Sequence, residues 1–212
     1  GIVILLSQIP MLFAPMQTVA TDIQPVAYRT SMILVEDGGI YNMSGNITSK
    51  WEDPEGNGWS YDQNKNLANY HDNVKRIGLA MSAPPGFSSE DIIPNKLSRD
   101  KINATRDWSN DTGNQSKIRD KLGLFVTYNG IPLNYQYNIS LRDFNDNLLQ
   151  IGSSPVLQIG DSIPGTDARY ANATRVTIEK IERIVAIDNP TALNCKKIGD
   201  VQCAKLVVCI WR

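Results

Sequence analysis

The sequence predicts an α+β chain: a long N-terminal helix, then a head of short helices and a C-terminal antiparallel β-sheet. Three observations carry this. No charged residue precedes Asp22, so residues 1–21 are one uncharged run. Beyond it Ile23, Val26, Ala27, Met32, Ile33 and Val35 fall near helical spacing between Asp22, Arg29 and Asp37. From Asn134 the period becomes two, with Tyr135, Tyr137, Ile139 and Leu141 alternating with Gln136, Asn138, Ser140 and Arg142. The division that follows is a hydrophobic N-terminal helix over residues 1–37 and a head over 38–212.

The leading run carries Ile2, Val3, Ile4, Leu5, Leu6, Ile9, Met11, Leu12, Phe13 and Met16. Apolar residues surround such a helix instead of forming one stripe, the sign of burial on all sides. As a helix of about 20 residues it would reach roughly 30 Å, the thickness of bilayer hydrocarbon. Pro10 and Pro15 each remove a backbone donor, which neighbouring helices tolerate better than lipid does. Hiding the large side chains from water is worth on the order of 15–25 kcal/mol gross. One thin domain rarely supplies that cover; a membrane or the same segment on other copies does. The chain opens with Gly1 and has no basic residue before Arg29, so it reads as a processed or truncated start and not as an intact signal peptide.

The helix is expected to continue to about Glu36 and to stop at Gly38-Gly39. Ser49 to Tyr61 reads as an ordered loop. Within it Asp53, Glu55, Asn57 and Gly58 imitate half a calcium loop, but Asn64 stands where a bidentate Glu is needed. Tyr70, Val74, Ile77 and Met81 predict an amphipathic helix over 63–82, stopped by Pro84-Pro85. Leu97 with Ile102, then Ile118 with Leu122, mark two shorter helices. Asn145-Asp146-Asn147 predicts a turn, with Leu148 to Ile151 returning as the second arm of a hairpin. The β-branched run from Arg175 to Ile187 changes phase, which predicts a bulge near Glu179. Lys205 to Trp211 is apolar on both faces and calls for the long helix on one side and further cover, such as a neighbouring subunit, on the other.

With 21 basic and 22 acidic residues and no Lys/Arg run, the chain lacks the electrostatic footprint of a nucleic-acid binder. One His and three Cys, unclustered, leave few ligands for a transition metal. There is no phosphate loop, G-x-S-x-G, H-E-x-x-H or Cys-x-x-Cys, and no carboxylate pair is nominated as acid and base; the chain reads as no enzyme, with no cofactor. His71 is expected on the surface. Trp51, Trp59 and Trp108 suit either a sugar-stacking platform or ordinary loop packing.

Seven sequons occur, at Asn42, Asn46, Asn103, Asn110, Asn114, Asn138 and Asn172. Chance predicts about two or three, so the excess points to N-linked glycans and an extracellular surface. Cys195 and Cys203 flank a polar loop, where a disulfide is plausible in an oxidising compartment, while Cys209 reads as a buried thiol.

An apolar leader, an amphipathic continuation, a sequon-rich middle and a strand-rich end resemble an archaeal type IV pilin-like protein, most of all in residues 1–37, with the phrase SQIPMLFAPMQTVATDIQPVAYR. Two positions depart from the bacterial pattern of Phe first and Glu fifth: here stand Gly1 and Leu5. The resemblance implies leader removal by a prepilin peptidase, transient membrane insertion, and packing of many copies along a filament axis. The expected function is a structural subunit of an extracellular filament displaying a glycosylated head for adhesion. The alternative is a membrane-anchored monomeric glycoprotein that binds an extracellular ligand.

Overall fold

The computed structural model describes residues 23–82, 92–128, 130–165, 176–188, 196–198 and 201–212. Its first element is helix α1, Ile23–Glu36. Ala27, Thr30, Ser31, Leu34 and Val35 are its buried stripe, at the i, i+3, i+4 spacing that gathers side chains on one face. The helix stops where Gly38-Gly39 predicts: Gly39 takes φ +80° and donates its N–H to Asp37 Oδ1 at 2.7 Å. The carbonyls left open at this end receive N–H groups from a later segment, Leu79 to Leu34 O at 3.0 Å and Ala80 to Asp37 O at 3.2 Å. So close is that approach that a Cβ on Gly78 would collide with Asp37 O.

After α1 come strands β1 (Ile40–Met43) and β2 (Asn46–Thr48), short helices α2 (Tyr61–Lys65) and α3 (Tyr70–Asn73), and strands β3 (Val74–Arg76), β4 (Ala80–Ser82) and β5 (Ile92–Leu97). Helices α4 (Arg99–Asn110) and α5 (Gln115–Lys121) follow, then strands β6 (Phe125–Tyr128), β7 (Ile131–Asn134), β8 (Gln136–Arg142), β9 (Gln150–Ile151), β10 (Ser154–Pro155) and β11 (Gln158–Gly160). Strands β12 (Ile178–Ile187), β13 (Lys196–Ile198) and β14 (Val201–Trp211) close the chain. The main sheet runs β11-β8-β14-β12-β5-β4, with β13 paired to β14. Its pairs are antiparallel except β12 with β5, which is parallel, so the sheet is mixed.

These elements correct the expected architecture. Among the described residues the N-terminal helix is 14 residues long, not a long rod, and Ile2 to Met16 lie outside those residues. No described helix is long and apolar enough to cross a membrane. Strands begin at Ile40 and the mixed sheet draws on residues 80–97, so the head is a mostly β assembly wrapped on one helix and not helices followed by a C-terminal antiparallel sheet. The helix expected over 63–82 is replaced by α2, α3, β3 and β4. Asn69, at φ +59°, separates α2 from α3, and the chain is extended from Val74. Tyr70, Val74 and Ile77 are buried as expected, but by tertiary packing of short pieces and not by one helical face.

β12 and β14 pair without interruption from Ile178↔Trp211 to Ala186↔Cys203, so no bulge forms at Glu179. The phase change is met by two different covers. Leu206, Val208 and Ile210 face the main core with α1, while Val207, Cys209 and Trp211 pack on the other face with Ile163, Val176 and Ile178. The chain's own residues, not a neighbouring subunit, cover that second face. Leu148 to Ile151 does not pair as a full hairpin arm: Leu148 makes one isolated bridge to Arg142, and β9 pairs with β10.

Where α1 ends, one buried lysine ties the junction. Lys101 Nζ donates to Gly38 O at 2.7 Å and Ala80 O at 2.9 Å, with Ser82 Oγ at 3.4 Å. Burial lowers its pKa, against the pull of Glu52 and Asp37. Lys101→Met should therefore leave two carbonyls without their donor and lower unfolding stability by about 2–4 kcal/mol, read as a reduced urea midpoint at unchanged m-value.

Candidate functional site

α4 is capped by Ser98, whose Oγ accepts the Lys101 N–H, and it is two-sided. Lys101, Ile102, Ala104, Thr105 and Trp108 are buried, and Thr105 Oγ1 donates to Lys101 O at 2.8 Å. The opposite face carries Arg99, Asn103, Arg106 and Asn110, at i, i+4, i+7 and i+11, which line one wall of a groove of about 780 Å³. Asn138, Gln158, Asp161 and Ser162 form the other wall, with Ile151 and Pro155 as the apolar part of the lining.

That second wall is held firmly. Asp161 donates its N–H to Tyr137 O at 2.7 Å and accepts Asn138 Nδ2 at its own carbonyl at 3.0 Å. Its carboxylate pairs with Arg119 at 3.2 Å, and Arg119 also donates to Gln136 Oε1 at 3.1 Å. Gly160, at φ +95°, is required because a Cβ there would strike the Tyr137 carbonyl. The groove is thus polar and preformed, with one carboxylate that is already paired. It suits hydrogen bonding to a polyhydroxylated or anionic ligand better than acid–base chemistry.

At Asn110 the groove meets a smaller pocket of about 410 Å³ lined by Trp59, Tyr61, Asp62 and Asp107. Two carboxylates line this pocket. Asp62 pairs with Lys65 at 3.1 Å and is mostly in solvent, and Asp107 pairs with Arg106 at 3.1 Å, so neither sits in the dry setting that makes a catalytic acid. Among the described residues no group of three or more His, Cys, Asp and Glu could hold a metal ion. In the calcium-like stretch Asp53 spends its carboxylate on the N–H groups of Asn57 (3.1 Å) and Gly58 (2.9 Å), and Asn64 donates its side-chain amide to Glu52 O.

Trp51 and Trp108 are fully buried, and Trp51 Nε1 donates to Gly78 O at 2.9 Å, so they are core and not a sugar platform. His71 is only partly exposed. It stacks on Trp108 with centroids 4.9 Å apart and planes 7° from parallel, its Nε2 is shut from water, and burial lowers its pKa.

The sequons separate by environment. Asn42 and Asn46 flank the Ser44-Gly45 turn of the β1–β2 hairpin, Asn46 exposed and Asn42 partly so, and Asn110 is exposed at the end of α4. Asn103 is half-buried on the groove wall, Asn114 is 8% exposed and Asn138 is 5% exposed in mid-strand. Three sequon asparagines far apart in sequence, 103, 110 and 138, thus line one groove. Asn172, Cys195 and the apolar residues Ile2, Val3, Ile4, Leu5, Leu6, Ile9, Met11, Leu12, Phe13 and Met16 lie outside the described residues, and with Cys195 so does the Cys195–Cys203 pairing. Arg99, Arg106 and Asp161 escaped the sequence reading. The i, i+7 arginines after the Ser98 cap were visible, but the strand wall facing them was not.

Glu52 is the most perturbed carboxyl. Burial pushes it from 4.5 up to about 7, only partly offset by Lys101, and Oε2 has no hydrogen-bond partner. Because the folded pKa is the higher one, the folded chain holds this proton between about pH 4.5 and 7 while the unfolded chain releases it. Stability from this group therefore falls as pH rises through that window. Glu52→Gln should stabilise the chain at pH 8 by on the order of 3 kcal/mol, and the gain over wild type should close near pH 4 in paired urea titrations. No family model, curated protein or solved structure matches the chain, so the groove and its surroundings stand on their own geometry.

Proposed function

We propose that the chain is a structural subunit of an extracellular, type IV pilus-like filament. It polymerises through its uncharged leading segment and displays the head, with its N-linked glycans, for adhesion or cell contact. The observation that supports this most is where that segment enters the head. It runs into α1, and α1 is the element on which β12, β14 and β5 pack. Arg183 of β12 adds a second tie, its Nε 3.3 Å from Ser31 Oγ and its guanidinium 4.8 Å from the Tyr28 ring centre. A load arriving at Ile23 would therefore pass through α1 to the middle of the sheet. The exposed acceptors at Asn46 and Asn110, with the partly exposed Asn42, support display on the outside.

Electron microscopy of shed material should show filaments; recovery only as detergent-dependent monomers would defeat the proposal in favour of an anchored, ligand-binding ectodomain. Leu6→Asp or Leu12→Asp should abolish assembly while the head still folds, because a charge in a dry contact costs several kcal/mol and recurs in every copy. Peptide mass spectrometry should find glycan on Asn42, Asn46 and Asn110, and Asn138 bare.

A further inference from the structure

We propose that a second groove, beside α1, binds the phosphate headgroup of an anionic phospholipid in the membrane that holds the uncharged leading segment before assembly. This groove, of about 590 Å³, is lined by Arg29 and Ile33 of α1, Lys75 and Arg76 of β3, Ile40, and the stretch that runs from the end of α5 into β6. Its cations are of two kinds. Arg76 is paired with Asp37, and Lys121 with Asp120 at 3.2 Å, so those charges cancel. Arg29 and Lys75 instead donate to neutral backbone carbonyls, Gly123 O at 2.7 Å and Asp72 O at 2.6 Å, while the Asp72 carboxylate faces Lys117 at 3.5 Å. Both side chains are exposed, and each keeps N–H donors beyond the one it spends. Among the described residues the groove therefore offers two positive charges that no carboxylate answers.

Beside these charges stand Ile33, Ile40, Val126 and Phe125, the last 47% exposed. A free phosphate would use the cations and leave that apolar surface wet. A phosphodiester joined to glycerol and acyl chains uses both, since binding at a lipid interface adds buried apolar area to attraction for anionic headgroups. Position names the same occupant. Arg29 and Ile33 lie in the second and third turns of the helix that begins just after the uncharged run, so a membrane that holds the run brings its headgroups to this groove.

None of the sequon asparagines lines this groove. The inference rests on the proposed function only for the passage of the leading segment through a membrane. Filaments are seen by microscopy and headgroup binding by hydrogen exchange, so either can fail without the other.

Hydrogen–deuterium exchange of the full chain, held in nanodiscs of phosphatidylcholine alone or with phosphatidylglycerol added, tests it. With phosphatidylglycerol, peptides covering 74–76 and 122–127 should exchange about tenfold more slowly, an effect that shrinks as salt rises, while peptides covering 150–155 should not change. Arg29→Gln and Lys75→Gln should each cut that protection about fivefold. Lys75 is exposed and bonds only to Asp72 O, which keeps the test valid if the Arg29 variant misfolds. Equal exchange in the two discs, or protection that survives both substitutions, would overturn the proposal. So would equal protection by inorganic phosphate in phosphatidylcholine discs, the mark of a simple anion site, or protection confined to assembled filaments, the mark of a contact between copies.

Discussion

The carbonyl end of α1 is the constraint from which the rest of the head follows. A helix that ends inside a protein leaves carbonyl groups that must find donors. Here two of them are met by backbone N–H groups from Leu79 and Ala80, and the next turn of chain, at Gly38, is met by the Lys101 ammonium. Those donors come from two separate stretches of sequence, 79–80 and 101. Satisfying them draws β4 across the helix end, forces a glycine at position 78, and fixes α4 by its first turn. A buried ammonium is costly on its own, but this one is solvated by two carbonyls and a hydroxyl, so it acts as a hub for backbone groups and not as half of an ion pair.

Fixing α4 in this way settles what its other face can do. Lys101, Ile102, Thr105 and Trp108 hold the helix against the core, and Trp108 is stacked by His71 and packed near Trp51. The stripe at 99, 103, 106 and 110 is thereby aimed at β8 and β11, which are joined in register to the centre of the sheet. The groove's two walls therefore belong to one rigid unit.

How much of this was legible depends on whether a signal is local. The stop of α1 at Gly38-Gly39 is local backbone chemistry and could be read directly. The alternation at 135–141 did locate β8, but the half-buried reading failed: Asn138 and Ser140, on its second face, are buried too. The 70, 74, 77 spacing misled because three buried residues in short, differently folded pieces imitate a helical stripe. The apparent bulge at Glu179 came from treating one buried face as the rule, whereas the end of β12 near Ile178 packs on the opposite face from Val185. The groove was the least legible feature, since its walls come from stretches some 50 residues apart that only the sheet brings together.

The sequon count illustrates the same limit from the side of function. Read as strings, the Asn-X-Ser/Thr triplets are equivalent; read as structure, they are not. Those at the β1–β2 hairpin stand at a turn with positive φ at Ser44 and Gly45, where the acceptor amide has solvent around it. Asn138 instead spends its amide N–H on Asp161 O and thereby holds the groove wall. A glycan there would displace that bond and force open the strand pair between β8 and β11, at a cost of at least one buried hydrogen bond and the packing around it. The surplus of asparagine thus falls into two settings in one chain, solvent-facing positions such as Asn46 and Asn110 and buried ones such as Asn138, and only the first kind argues for an outer surface. That leaves the case for display resting on fewer residues than the raw count, and it gives Asn138 a reason to be there that owes nothing to glycosylation.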